Sequence, residues 1–124
     1  MINGAHLLFY SHNPEADRSF FSDVLGLRSV DAGHGWLIFA LPPAEAAFHP
    51  ADSEQPAQPS MIGADLYLLC DNLESQMKTL KEKNVVCGPV SEERWGIRTT
   101  ITLPSGAMIG LYEPRHPTAI ALNT

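Results

Sequence analysis

An echo inside the chain constrains its fold more than any other feature. Gly4-Ala5-His6-Leu7-Leu8-Phe9-Tyr10 returns as Gly63-Ala64-Asp65-Leu66-Tyr67-Leu68-Leu69. The same offset lays Asn13 on Asn72 and Glu15 on Glu74. In both copies a helix-like segment follows. The pattern predicts two similar modules fused into one unit rather than two unrelated domains. Each module opens with a strand whose third residue, His6 or Asp65, is polar among apolar neighbours.

The first module is predicted over residues 2–49. Ile2–Tyr10 reads as a strand, with His6, Leu8 and Tyr10 on one face and Leu7 and Phe9 on the other. Asn13-Pro14 starts a helix, since Asn can accept from a free backbone N–H and Pro suits the first turn. Ala16, Phe20 and Val24, with Phe21 beside them, form its apolar stripe, and Gly26 ends it. Leu27–Asp31 and Trp36–Leu41 follow as strands around a Gly33-His34-Gly35 turn. Pro42-Pro43 stops the second of these, and Glu45–His49 is a short fourth strand. Residues 50–61, rich in Pro, Ala, Gln and acidic groups, have the composition of a linker.

The second module is predicted over residues 62–114. Gly63–Cys70 is its opening strand, and Asp71 or Asn72 caps the next helix. Asp71 in that role would put Glu74 in a capping box. Leu73, Met77 and Leu80 are its apolar stripe, and it ends near Asn84. Val85–Cys87 is a short strand, Val90–Arg94 a charged loop, and Trp95-Gly96 opens a strand over Ile97–Leu103. A turn at Pro104-Ser105-Gly106 leads into the last strand, Ala107–Glu113. Residues 115–124 form a tail in which Pro117 argues against a further strand. Residues 1–114 thus read as one α+β domain of tandem βαβββ modules. One helix covers one face of each sheet. The bare faces meet in a partly open barrel around a shared cleft.

Composition narrows the partners. The chain of 124 residues carries a formal charge of −6 and has no Lys/Arg cluster, which argues against nucleic acid and against anionic lipid. Only 18% of residues are charged, which fits either a mildly polar monomer or a surface covered by a partner subunit. Two cysteines, Cys70 and Cys87, make no disulfide framework and read as free buried thiols. With no signal-peptide pattern and no apolar run of spanning length, a cytoplasmic protein is expected. Nucleotide-binding, serine-hydrolase and zinc-protease motifs are all missing from the sequence.

From Ile2 to about Pro114 the chain resembles the vicinal oxygen chelate superfamily, which includes glyoxalases, bleomycin-resistance proteins and extradiol dioxygenases. The resemblance is carried by His6 with Leu8 and Tyr10, and by Phe20-Phe21-Ser22-Asp23-Val24-Leu25-Gly26-Leu27. Leu103-Pro104-Ser105-Gly106 and the run Met108–Glu113 carry it in the second half. It implies a cleft in which metal-dependent members place four inward residues, two from each half. His6 occupies the first of these positions and Asp65 the third. The second falls on Ala46 or Ala47, and the fourth, usually acidic, falls on Gly110. Glu45, His49 or Glu113 would reach the set only through a shift of strand register, because one residue's slip reverses the face. Two donors fall short of the three that a catalytic divalent ion takes. No cofactor is therefore expected, and His6, Asp65 and Glu45 are the candidate ligands should a divalent metal bind.

With Gly110 and Asp65 facing the cleft as the resemblance implies, alternation along their strands extends its lining. Leu8, Tyr10, Trp36, Tyr67, Trp95, Arg98, Met108, Gly110 and Tyr112 are its expected lining, although the aromatic residues among them also suit a core. His6 and Asp65 are the candidate catalytic pair, with Asp65 as base and His6 as its partner or as a substrate-orienting group. The expected function is binding of a small, partly planar organic ligand, with Arg98 available to an anion. The alternative is a metal-dependent lyase, isomerase or ring-cleavage dioxygenase acting on a substrate with vicinal oxygens. The resemblance also implies a homodimer.

Overall fold

The structure, a computed structural model, describes residues 1, 3–51 and 60–123. Ile2 of the expected first strand, most of the expected linker and Thr124 of the tail lie outside the described residues.

Helix α1 (Pro14–Asp23) begins as its sequence dictates: the Asn13 side chain accepts the Ala16 N–H at 3.3 Å, and Pro14 fills the first turn. Gly26, at φ +71°, takes the left-handed conformation that ends the helix. Strands β1 (Ser29–Asp31) and β2 (Leu37–Phe39) then pair antiparallel across the expected glycine turn, where the Asp31 carboxylate accepts the Gly33 N–H at 2.7 Å. In the second half, β3 (Tyr67–Leu69) leads to helix α2 (Leu73–Glu82), followed by β4 (Ser91–Glu93), β5 (Gly96–Thr102) and β6 (Met108–Pro114). These strands form one sheet in the order β3-β6-β5-β4, with β3 parallel to β6 and the other pairs antiparallel. Neither sheet closes into a barrel or curls strongly, so the tandem βαβββ-like architecture is open.

Several boundaries differ from the sequence reading. Among the described residues, neither 3–10 nor 45–49 forms a paired strand. In the second module β6 supplies a seven-residue partner for β3, extended by Gly110 N–H to the Leu66 carbonyl and Cys70 N–H to the Tyr112 carbonyl. The matching closing segment, Glu45–His49, lies between prolines and offers one large apolar side chain, Phe48. Its two alanines bury too little to reinforce a ladder. Ser91–Glu93, expected as loop, is instead an edge strand, a place where charged side chains are at home. The expected Val85–Cys87 strand contributes a single bridge, Cys87 to Ile101. Asn72, rather than Asp71, caps α2 by accepting the Ser75 N–H at 2.9 Å, so no capping box forms there. The tail ends in a short 3-10 turn, Ile120–Asn123.

One buried cluster joins the two halves. Phe20 and Phe21 of α1 pack with Leu73 and Leu80 of α2 and with Ile101, Ile109 and Leu111 of the larger sheet. Asp17 adds a polar tie, taking the Ser11 hydroxyl at 2.7 Å on one oxygen and the Ser105 N–H at 3.0 Å on the other. On β5 and β6 the core takes Thr99, Ile101, Ile109 and Leu111. By the two-residue period, Arg98, Thr100, Met108, Gly110 and Tyr112 share the opposite face.

Candidate functional site

That opposite face is built by strand register. Tyr67 stands beside Gly110, Arg98 beside Tyr112, and Thr102 beside Met108. Gly110 lets the Tyr67 ring lie flat on the sheet, because a Cβ at this position would run into three of the ring carbons. The space left by the missing side chain is therefore filled by Tyr67 and does not deepen a cleft. Gly96 plays the same part for Tyr112, whose ring occupies the space that a Cβ would need.

Polar atoms fix the rings in place. The Tyr112 hydroxyl donates to the Trp95 carbonyl at 2.8 Å. The Arg98 Nη1 donates to the Tyr67 hydroxyl at 3.0 Å, and its guanidinium stands 5.5 Å from the centre of the Trp95 ring, within cation–π reach. Tyr112 meets Trp95 and Tyr67 edge-on at centroid distances of 5.4 and 6.2 Å, and His116 of the tail lies 5.7 Å away. Burial raises the Tyr112 phenol above its usual pKa, and the Glu45 carboxylate adds to the rise. Glu45 is itself held by the Ala119 N–H at 2.8 Å, so the tail brings this first-half residue toward the aromatic group.

Six of the expected lining residues thus meet on one face: Tyr67, Trp95, Arg98, Met108, Gly110 and Tyr112. Those from the first half are placed differently. Phe9 packs toward Phe21 at 6.4 Å, which turns its neighbours Leu8 and Tyr10 outward, 58% and 89% exposed. Trp36 is exposed beneath the Arg18 guanidinium, 4.7 Å from its ring centre. His6 and Asp65 are both exposed, and among the described residues neither bonds to the other.

Among the described residues, the expected donors His6, Glu45 and Asp65 do not stand together as one group. Gly110 offers no side chain. Glu113, the nearest carboxylate in sequence, points to the other side of the sheet, where its Oε1 accepts the Leu73 N–H at 2.8 Å and caps α2. Among the described residues no group of three or more His, Cys, Asp or Glu side chains stands together as a metal site requires. Sequence reasoning missed both the capping role of Glu113 and the approach of Glu45 to Tyr112. The first had a signal in the alternation of β6, which puts Glu113 on the face opposite Tyr112. The second had none, because it depends on the path of the tail.

A concavity of about 210 Å³ opens on the helix side of the larger sheet, apart from the aromatic face. Val24, Leu27, Leu68 and Leu80 line it, and Lys83 reaches across its edge to the Val24 carbonyl at 3.3 Å. Cys70 also borders it, with a thiol held above its usual pKa by burial and by the Glu113 and Asp71 carboxylates. Burial raises the Cys87 thiol as well. Neither sulfur has the electropositive surroundings that make a nucleophile.

No family model matches this sequence, and no curated protein matches it. Solved structures do. TnmS3, an antibiotic binding protein from Streptomyces sp. CB03234, superposes with a TM-score of 0.61 at 21% identity, covering 92% of this chain and 98% of its own. Lactoylglutathione lyase from Agrobacterium tumefaciens gives 0.59 at 16% identity, covering 85% of this chain and 88% of its own. A putative glyoxalase family protein from Bacillus anthracis gives 0.58 at 15% identity, covering 93% of this chain and 98% of its own. The chain has the fold shared by glyoxalases and bleomycin-resistance proteins, at identities that speak for the fold alone. Among the described residues, no helix is long and apolar enough to cross a membrane.

Proposed function

We propose that this glyoxalase/bleomycin-resistance-like chain is a binding protein for a small, partly planar organic molecule, working without a four-ligand metal site. The observation that carries this reading is the Tyr67, Trp95, Arg98 and Tyr112 group, whose rings and donors converge on one sheet face. Aromatic walls with a few placed polar atoms are what a planar ligand uses: area for stacking and donors for orientation. The sharing of the fold with an antibiotic binding protein is compatible with such a role. His6 and Asp65 enter the proposal as outer ligand contacts, with Asp65 as the base should a reaction follow.

The active form is proposed to be a cytoplasmic homodimer. Supporting it are the unpaired segments of the first half, where Leu8, Tyr10 and Phe48 stand open to solvent. The test of the binding reading is a screen of planar aromatic compounds against isotope-labelled protein, followed by NMR. Shifts centred on Trp95, Tyr67 and Tyr112, insensitive to added Zn²⁺ or Mn²⁺, are expected. Shifts confined to other surfaces would overturn the reading. Metal-dependent shifts at His6 and Asp65 would replace it with the metal-dependent lyase, isomerase or dioxygenase alternative.

A further inference from the structure

The reading above leaves the ligand's charge open, and Arg98 speaks to it. Arg98 is half-buried on β5, and among the described residues it makes no ion pair; the one ion pair among them joins Arg115 to Glu92 at 2.9 Å. A guanidinium held in place on a partly buried face is a ready partner for a carboxylate or phosphate. Here its neighbours are a phenol oxygen and an indole face. Both orient the cation and neither neutralises it.

The remaining hydrogen-bonding capacity points the same way. One of the five guanidinium N–H groups is used on the Tyr67 oxygen. Because that oxygen accepts from Arg98, the Tyr67 hydroxyl proton is available to a further acceptor. The two side chains together present a planar fork and an O–H, a donor set that fits the two oxygens of a carboxylate. Trp95, 44% exposed, offers a ring face next to that fork. The arrangement carries one formal positive charge, which matches a monoanion better than a phosphate dianion.

Two effects oppose an anion, and their reach decides the matter. The chain as a whole is at −6. At physiological ionic strength, charges beyond about 8 Å are largely screened, so this field is weak against a direct contact. The Glu45 carboxylate is closer, since it acts on Tyr112 and Tyr112 stands beside Arg98, but one of its oxygens is taken by the Ala119 N–H.

Resting on the reading that this face binds a planar ligand, we infer that the ligand class is an aromatic monocarboxylate. Its carboxylate is taken by Arg98 and the Tyr67 hydroxyl, and its ring lies against Trp95. Arg98 is then the residue that sets specificity for charge.

The experiment compares naphthoate with naphthamide, the same ring with the charge removed, by Trp fluorescence and NMR titration of the full chain. A charge-assisted hydrogen-bonded contact predicts that the acid binds about tenfold or more tighter than the amide. Arg98→Gln should bring the acid-to-amide ratio close to one, because the acid loses far more than the amide. Tyr67→Phe should reduce that ratio. Arg98→Lys, which keeps the charge and loses the fork, should retain part of it. Equal affinity for acid and amide, with shifts at Trp95 for both, would overturn this inference and leave the planar-ligand reading standing. No shift at Trp95 or Tyr67 with either compound would overturn both. Should Arg98→Gln fail to fold, the acid-to-amide ratio in the unaltered chain and in Tyr67→Phe decides.

Discussion

Gly110 shows how much one missing side chain can determine. Its hydrogen is the only substituent that lets the Tyr67 ring rest on β6, and the ring in turn brings the Tyr67 hydroxyl to Arg98. Gly110→Ala would push against ring carbons near the base of the side chain, where a small rotation gives no relief. Overpacking of this kind costs about 1–3 kcal/mol, so the melting temperature should fall by several degrees. The Trp95 emission should shift as Arg98 loses its anchor. Pairing Gly110→Ala with Tyr67→Ala should recover much of the loss, since the clash needs both side chains; additive effects in thermal melts would count against this account. At this scale the sequence was informative about faces and a poor guide to depth, since a glycine reads as open space and Gly110 is covered by the Tyr67 ring. Alternation groups Met108 with Tyr112 along one strand, while the pairing of strands is what sets Tyr67 and Arg98 beside them. Alternation contains nothing to say that Tyr67 fills the space above Gly110, because that depends on the parallel register of β3 against β6.

Helix α2 shows the same division among elements. Its start was legible to within one residue, and the helical stripe of Leu73, Met77 and Leu80 does face the core. The second cap was not legible. Glu113 belongs to the last strand, yet its carboxylate takes the Leu73 N–H and places negative charge at the positive end of the helix. The same carboxylate helps to hold the Cys70 thiol protonated, after the larger effect of burial. Glu113→Gln separates these roles, because the amide oxygen can still accept while the charge is gone. The Cys70 pKa should fall toward its ordinary value. Iodoacetamide should then alkylate Cys70 faster at mildly alkaline pH, where a larger share becomes thiolate. Cys87, raised by burial alone, is the internal reference and should keep its rate. Loss of stability should stay near the ~0.3–1 kcal/mol of a helix-end charge. Equal acceleration at both cysteines would mean that the substitution loosens the fold rather than altering the local field.

The two modules were expected to be equivalent, and the whole molecule is lopsided. Among the described residues, the second has a four-stranded sheet, and the first has two three-residue strands flanked by segments with no ladder partner. Repetition in sequence predicts repetition of elements, but strand pairing is settled by what lies alongside, and a single chain's sequence does not specify that neighbour. Residues 3–10 present Leu8 at 58% exposure and Tyr10 at 89%, while Phe48 stands at 87%. Such segments, apolar and unpaired, suit burial against a second copy, whose own segments would be equally open. Each large apolar side chain fully buried in that way contributes about 1.5–3 kcal/mol, and two-fold symmetry counts every one twice. Tyr10→Asp and Phe48→Asp should therefore shift a dimer to monomer in sedimentation at micromolar concentration, with the helical circular dichroism preserved. Because each copy carries −6, added salt should tighten the proposed dimer by screening the repulsion between copies. A chain that sediments as a monomer across salt and concentration would leave these segments without the partner proposed for them. Dissociation by salt would instead point to an interface held by ion pairs rather than by the exposed apolar residues.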